Sequence, residues 1–142
     1  QGPAGISEAV TGTITFPLNA SAANSPSTSS TIGLFAKGGI YLVEMYITYT
    51  PTSSTLYPRV TQLLADNGAT IVNWSYVIVN GDSSRTNANK TEQSMLIKAL
   101  VNGKNSTDNF GLTVTYLVTS STTTNQITPS GIYFATRIGA LG

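Results

Sequence analysis

The longest apolar run of the chain, from Gly38 to Tyr49, alternates with a period of two and predicts a central β-strand. Successive side chains of a strand point to opposite sides of the sheet. The first face of this strand carries Tyr41, Val43, Met45, Ile47 and Tyr49. The second face carries Ile40, Leu42, Glu44, Tyr46 and Thr48. We expect the first face, which holds no charge, to lie in the core of the domain.

The second face of the central strand suits neither water nor a protein interior. It is too apolar for water and, with Glu44 at its centre, too polar for an ordinary core. Such a face is typical of a strand that packs inside its own domain on one side and against another subunit on the other. The alternative is an antiparallel strand whose outer side is covered by a loop.

Further segments with short apolar or alternating runs predict more strands. These segments are Thr11–Leu18, Arg59–Ala65, Thr70–Val79, Thr91–Val101, Phe110–Val118 and Gly131–Leu141. The segment Thr91–Val101 fits both a strand and a helix period, and we prefer the strand because its neighbours in the chain are strands.

The dipeptide Asn67-Gly68 predicts a tight turn between two of these segments. A two-residue type I′ turn needs positive φ at both central positions, which Asn and Gly adopt readily. We therefore expect Arg59–Ala65 and Thr70–Val79 to pair as a hairpin. The alternative is a short helix from Pro58 to Ala65 that is closed by the glycine.

Polar segments separate the predicted strands, and Ser, Thr and Asn together make up about a third of the chain, which favours strands and turns over helices. The expected loops are Asn19–Thr31, Thr50–Thr55, Gly81–Lys90 and Ser120–Ser130. About eight strands without a convincing helix indicate an all-β sandwich of two antiparallel sheets, of the jelly-roll type. A chain of 142 residues suits one such domain.

The composition removes several classes of function. Lys plus Arg is 7, Asp plus Glu is 6, and charged residues make up 9% of the chain, so no basic patch for nucleic acid is expected. The chain has no cysteine and no histidine, which removes thiol chemistry, histidine acid–base catalysis and the usual zinc, copper and haem ligands. No apolar run is long enough to span a membrane, so we expect no membrane insertion.

The few acidic residues offer weak candidates for chemistry. Asp66, Asp82 and Asp108 lie beside turn residues, but they are far apart in sequence, whereas calcium needs six or more oxygen ligands. Glu44 and Glu92 are the candidate carboxylate pair for glycoside hydrolysis, and no cleft signature accompanies them. Without a nucleophile beside a base, we expect no catalysis, no metal site and no cofactor.

The first seven residues, Gln1–Ser7, repeat glycine at a spacing of three with proline after the first glycine. This is the pattern of collagen, in which only glycine fits at the axis of three chains. We therefore expect residues 1–7 to be the end of a collagen-like shaft and residues 8–142 to be a single head domain. The alternative for the first seven residues is a disordered tail.

Two stretches resemble a known family. Gly131–Leu141, with its aromatic pair, small residue and apolar end, resembles the closing strand of the tumour necrosis factor and C1q superfamily. Gly39–Val43 is similar to the Gly-Leu-Tyr-Leu strand of that superfamily. The collagen-like lead-in matches the C1q arrangement. The chain departs from the family pattern at Ala135, where glycine is usual, and at Arg137 inside the apolar end.

The resemblance implies a ten-stranded jelly roll that forms a compact homotrimer, with the central and closing strands side by side and facing the threefold axis. The chain looks most like the carboxy-terminal head of the vertex spike of tailless, membrane-containing bacteriophages. Such a head would sit on the virion surface at a capsid vertex. Its partners would be two further copies of itself, other vertex or spike proteins and a host-surface receptor.

Matching Gly39 and Tyr133 to the family predicts which residues face the threefold axis. These residues are Leu42, Glu44 and Tyr46 on the central strand, with Tyr133, Ala135 and Arg137 on the closing strand. We expect Glu44 and Arg137 to form an ion pair there, within one subunit or across two, because arginine can bind a carboxylate through two parallel hydrogen bonds.

A second class of function stays open from the sequence. The chain also fits a secreted C1q-like or lectin-like trimer that recognises a receptor or a glycan. Its contact surface would then be the loop near Ser21–Thr31 or the loop near Ser83–Asn89.

Overall fold

The chain is described by a computed structural model that covers residues 8–16, 26–49, 57–80, 93–119 and 129–141. These residues contain nine β-strands. The strands are β1 (Ala9–Thr15), β2 (Pro26–Thr28), β3 (Ile32–Phe35), β4 (Gly39–Tyr49), β5 (Tyr57–Ala65), β6 (Thr70–Asn80), β7 (Gln93–Asn102), β8 (Phe110–Thr119) and β9 (Ser130–Leu141). The described ranges hold no helix, and thus none that is long and apolar enough to cross a membrane.

The strands form two antiparallel sheets. The first sheet has five strands in the order β1-β9-β4-β7-β6. The second sheet is built on β8, which pairs with β5 along one edge and with the short strands β2 and β3 along the other. Buried residues of both sheets belong to one hydrophobic cluster. The prediction of an all-β chain with antiparallel sheets is therefore confirmed, and the arrangement is that of a β-sandwich.

The core consists of the inward-facing side chains of both sheets. The first sheet contributes Tyr41, Val43, Met45, Ile47, Met95, Ile97, Ala99, Val101, Tyr133 and Ala135. The second contributes Ile32, Phe35, Val60, Leu63, Phe110, Leu112, Val114 and Tyr116. The ring of Phe35 joins the two layers, because its centroid lies 4.9 Å from that of Tyr41 and 5.6 Å from that of Phe110. Aromatic pairs at these separations stabilise a core beyond the area they bury.

The predicted central strand is confirmed as β4. Its side chains alternate between buried positions and positions that are partly or fully exposed along all 11 residues. Tyr41, Val43, Met45 and Ile47 are at most 1% exposed, as expected for the core face. Both edges of β4 are paired, one with β7 and the other with β9. The expectation that the central and closing strands are neighbours is also confirmed.

The predicted hairpin around Asn67-Gly68 is wrong, although the turn itself forms. Asn67 and Gly68 adopt φ angles of 53° and 84°, and the backbone N–H of Ala69 donates to the carbonyl of Asp66. The strands on either side do not pair with each other: β5 pairs with β8 and β6 pairs with β7. The alternative helix over Pro58–Ala65 is also wrong, because these residues belong to β5.

The turn connects β5 of one sheet to β6 of the other, and hydrogen bonds join it to the connection between β7 and β8 and to the start of β8. The N–H of Thr107 donates to the carbonyl of Asn67 over 2.8 Å, and the N–H of Gly111 donates to the Asp66 carboxylate over 2.8 Å. These bonds hold the end of β5 against the start of β8. Turn chemistry thus fixes the local backbone but not the partners of the flanking strands.

The remaining differences concern short strands and loops. The expected loop Asn19–Thr31 contains the three-residue strand β2, and Ile32–Phe35 forms the separate strand β3. Both are too short to show a period and are recognisable only by their pairing with β8. The predicted shaft residues 1–7, the loops at 50–55 and 81–90, and residues 120–128 lie outside the described residues.

Two glycines of β9 offer a test of the β4–β9 contact. A Cβ at Gly131 would lie 2.2 Å from the backbone oxygen of Tyr46, whereas a Cβ at Gly139 would meet only the Ile40 side chain at 3.5 Å. We expect Gly131→Ala to lower the free energy of unfolding by about 1–3 kcal/mol, because the two backbones must separate. Gly139→Ala should change it by less than about 0.5 kcal/mol. Urea unfolding at equal protein concentration compares the variants, and equal stabilities would contradict this register.

Candidate functional site: the outer face of the five-stranded sheet

The outer face of the five-stranded sheet carries an unusual concentration of apolar side chains. Cross-strand pairing places Ile132, Tyr46, Leu96 and Val77 in one row across β9, β4, β7 and β6. Two rows further along the strands, Leu42 and Leu100 lie opposite each other. We call the set Leu42, Tyr46, Leu96, Leu100, Ile132 and Phe134 the exposed sheet face.

Four of the six side chains of the exposed sheet face are exposed to solvent, while Leu96 and Leu100 are half-buried. Leu42 is 41% exposed, Tyr46 40%, Phe134 45% and Ile132 55%. Val77 extends the apolar row onto the edge strand β6 at 56% exposure. Single exposed apolar residues are ordinary, but a contiguous group that spans several strands of one sheet is typical of an interaction surface.

The outer face of the second sheet differs in character. Thr28, Thr113 and Thr115 lie on this side, and the hydroxyls of Thr28 and Thr115 are hydrogen-bonded over 2.8 Å. Exposed leucines occur there singly, at Leu34 and Leu64. Hydroxyl-bearing side chains remain well solvated, so this sheet has the ordinary polar outer face of a sandwich. The contrast points to the five-stranded sheet as the candidate functional surface.

Two opposite charges lie side by side on the exposed sheet face. Glu44 on β4 and Lys98 on β7 are direct cross-strand partners. The hydroxyl of Tyr46 donates a hydrogen bond of 2.8 Å to Glu44 Oε2. This hydrogen bond raises the pKa of the Tyr46 hydroxyl, since the nearby carboxylate disfavours a phenolate. Glu44 is therefore positioned by its neighbours although it is only half-buried.

A shallow groove runs along the face beside these charges. Its lining includes Leu42, Leu100, Lys98, Asn73, Ser75 and Trp74, from β4, β7 and β6. The side chain of Trp74 lies on the inner side of β6, where it stacks on Tyr76 with the ring centroids 6.1 Å apart and packs against the core. Apolar walls with a few polar groups can hold a protruding side chain of a partner.

The face predicted for the closing strand is wrong. Tyr133 and Ala135 are Cα partners of Met45 and Val43, and they are 5% and 0% exposed. They therefore lie in the core of the sandwich and do not face outwards. The outward positions of β9 are Ile132 and Phe134, which the sequence analysis missed. A register difference of one residue exchanges the two faces of a strand, and alternation alone cannot show which face of β9 matches the outer face of β4.

Leu42, Glu44 and Tyr46 lie on the outer side of β4, as the sequence analysis placed them. The structure adds Lys98, Leu96 and Leu100 on β7, because β7 pairs with β4 along its whole length. The period of β7 showed that Leu96, Lys98 and Leu100 share a face, but only the sheet order brings that face next to Glu44.

Arg137 belongs to a different cluster, at one end of the sandwich. It is the Cα partner of the buried residue Tyr41, and its backbone N–H donates to the carbonyl of Glu8 over 2.9 Å. The Tyr41 hydroxyl donates to the carboxylate of Glu8 and accepts the N–H of Ala36 over 3.1 Å. The expected ion pair of Glu44 with Arg137 within one subunit is therefore wrong, since the two residues lie on opposite sides of the sheet.

The other acidic candidates serve as turn residues where they are described. Asp66 accepts the N–H of Gly111, and Asp108 accepts the N–H of Asn109 over 2.8 Å. No group of three His, Cys, Asp or Glu side chains is placed to hold a metal ion in the described part of the chain. Asp82 and Glu92 lie outside that part.

Comparison with protein-family models, with curated proteins and with solved structures found no match to this chain. The resemblance to the tumour necrosis factor and C1q superfamily stays a prediction from the sequence.

The cluster around Tyr41 predicts a response of the fold to alkaline pH. Burial first, and then the hydrogen bond to Glu8, raise the pKa of the Tyr41 hydroxyl from 10.0 to about 12. Because the folded state holds this proton more tightly than the unfolded state, its contribution is intact below pH 10 and is lost as the pH rises towards 12. Tyr41→Phe should flatten the fall of the melting temperature over this interval.

Removing the Tyr41 hydroxyl should also cost about 1–3 kcal/mol at neutral pH, since the Ala36 N–H loses its acceptor. Tyr76→Phe, on the edge strand β6, is the control, because it also removes a phenolic hydroxyl but lies outside the Tyr41 cluster. Thermal unfolding from pH 8 to 12 compares the wild type and both variants. Parallel curves for Tyr41→Phe and the wild type would contradict this role of Tyr41.

Proposed function

We propose that this chain is the trimeric head of a virion spike, a structural part of a capsid vertex that takes part in attachment or in spike assembly. In this proposal the exposed sheet face is the surface through which three copies associate. The head presents its loops outwards to a host-surface receptor or to neighbouring vertex proteins.

The observation that carries the proposal is the exposed sheet face itself. An isolated domain gains nothing from leaving Ile132 and Phe134 about half exposed beside Leu42 and Tyr46. Burial of apolar area is the main favourable term in protein association, at about 25 cal/mol per Å². The polar outer face of the second sheet offers no comparable surface.

The strand order supports the finer fold assignment in the proposal, a jelly roll of the tumour necrosis factor and C1q type. That resemblance implies that the central and closing strands lie side by side and face the axis of the trimer. Here β4 and β9 are neighbours, and both contribute to the exposed sheet face. Interfaces of homo-oligomers use surfaces that are complementary to copies of the same chain.

The virion location rests on the sequence. A glycine-triplet lead-in at Gln1–Ser7, the lack of cysteine and a surface rich in Ser, Thr and Asn together resemble the head of a phage vertex spike more than a cytokine. We further propose that the head is not an enzyme and works by binding, because no histidine or cysteine is available and the described acids lie in turns, in the Tyr41 cluster or on the exposed sheet face.

Two leucines of similar exposure on opposite sheets test the assembly surface. Leu42 and Leu64 are 41% and 51% exposed. We expect the wild type to sediment as a trimer at low micromolar concentration. Leu42→Arg should sediment as a monomer, because a charge is forced into an apolar interface, whereas Leu64→Arg should remain a trimer. Sedimentation equilibrium measures the mass, and circular dichroism verifies that each variant is folded.

A monomeric wild type would overturn the proposed assembly, and a trimer that tolerates Leu42→Arg would move the interface elsewhere. The virion location needs its own test. Antibodies raised against the purified head should label intact virus particles at isolated surface points, as expected of vertices. If particles of a virus whose genome encodes the chain are not labelled, the virion role is contradicted.

A further inference from the structure

Glu44 and Lys98 are the two charged residues that the described strands place on the outer side of the five-stranded sheet. They are direct partners across β4 and β7. Opposite charges in this position attract each other across the strands. On an ordinary solvent face such a pair would be one of many, with polar neighbours.

The surroundings of this pair are apolar on three sides. The row on one side holds Tyr46 and Leu96, and the row on the other side holds Leu42 and Leu100. On the β9 side, the Cα partner of Glu44 is Phe134. Glu44 thus lies inside the exposed sheet face, and Lys98 lies on its β7 side, where its Cα partner on β6 is Ser75.

We propose that a second copy of this chain covers the exposed sheet face, and that Glu44 and Lys98 form the polar centre that fixes how the copies align. The proposal rests on the trimer proposed above and adds the residues that determine its alignment. The pair takes the place that the sequence analysis assigned to Glu44 and Arg137.

The size of the face suits a stable contact between copies. The whole outer side of the five-stranded sheet, of which the exposed sheet face is the central part, measures about 24 Å by 34 Å, or about 800 Å², for strands about 4.8 Å apart and about ten residues long. This is the area that each partner contributes to an interface of standard size, about 800 Å². A partner that covered most of this sheet would therefore bury an area of the order found in specific interfaces.

The shape and charge of the face also favour a copy of the same chain. Ile132 and Phe134 protrude on β9, while the groove beside Lys98 lies on the β7 and β6 side. A chain that carries both a protrusion and a groove can associate head to tail with its own copies. A face with one positive and one negative charge is likewise complementary to itself, whereas an unrelated partner would need a matching pair.

The physical role of the pair is alignment more than affinity. Covering the two charges removes them from water, and their attraction does little more than offset that cost. An arrangement that separated them, or that brought like charges together, would leave a charge uncompensated among Leu42, Leu100 and Phe134. Arrangements of this kind are strongly disfavoured, so the copies associate in the arrangement that keeps every charge paired.

Charge reversal tests the pair directly. Glu44→Lys or Lys98→Glu places two like charges at the centre of the face, and each should raise the dissociation constant of the trimer at least about a hundredfold. The double variant Glu44→Lys/Lys98→Glu restores opposite charges and should recover most of the loss. Sedimentation equilibrium measures association, and circular dichroism verifies that each variant is folded.

Arg59→Glu is the control, because Arg59 is an exposed cation on the second sheet. It should leave the trimer unchanged. A wild type that is monomeric would overturn the trimer and this inference together, and would leave the face to a different protein. A trimeric wild type with unaffected single reversals, or a double variant no better than the singles, would overturn only this inference.

Neutral substitution tests the alignment role. Glu44→Leu/Lys98→Leu removes both charges and leaves none unpaired, so association should persist. Without the polar centre, native mass spectrometry should find several assemblies where the wild type gives one. A single trimeric species from this variant would overturn the alignment role.

Discussion

Strand β4 is hydrogen-bonded along both edges, and the two-residue period of its side chains constrains the rest of the first sheet. Because β7 and β9 are in register with it, each of their side chains must share the face of its partner on β4. The buried row of Tyr41, Val43 and Met45 thereby fixes the core positions of three strands. The same pairing fixes the opposite side, where Leu42, Glu44 and Tyr46 determine which neighbours form the exposed sheet face.

This constraint explains why the two outer faces of the sandwich differ. β8 holds the second sheet together in the way that β4 holds the first, but its outward positions are Thr113 and Thr115. The outward positions of β4, β7 and β9 include Ile40, Leu42, Tyr46, Leu96, Leu100, Ile132 and Phe134, together with two charged residues and several hydroxyl or amide side chains. A sandwich needs only one apolar side per sheet, and the apolar residues on the second side of the first sheet are those that the proposed association would bury.

The end of the sandwich shows how a charged residue can be accommodated inside an apolar strand without lying on the exposed sheet face. Arg137 breaks the apolar end of β9, yet it lies next to Tyr41 and its backbone is bonded to Glu8. The cluster joins the beginning of β1, the beginning of β4 and the end of β9. It holds Glu8 against the start of β4 and the end of β9, at this end of the sandwich.

The local sequence pattern determined several strands and one turn of this protein. Alternation in Gly39–Tyr49 and Phe110–Thr119 gave the two central strands and their inward faces, because a period of two is a property of the single strand. Asn67 and Gly68 determined a turn, because positive φ is a property of the residue. Only the tertiary structure decided that β5 and β6 join different sheets, that Tyr133 faces inwards, and that Lys98, not Arg137, lies beside Glu44. These depend on register and strand order, which are set by hydrogen bonds between segments far apart in the chain and leave no local period in the sequence.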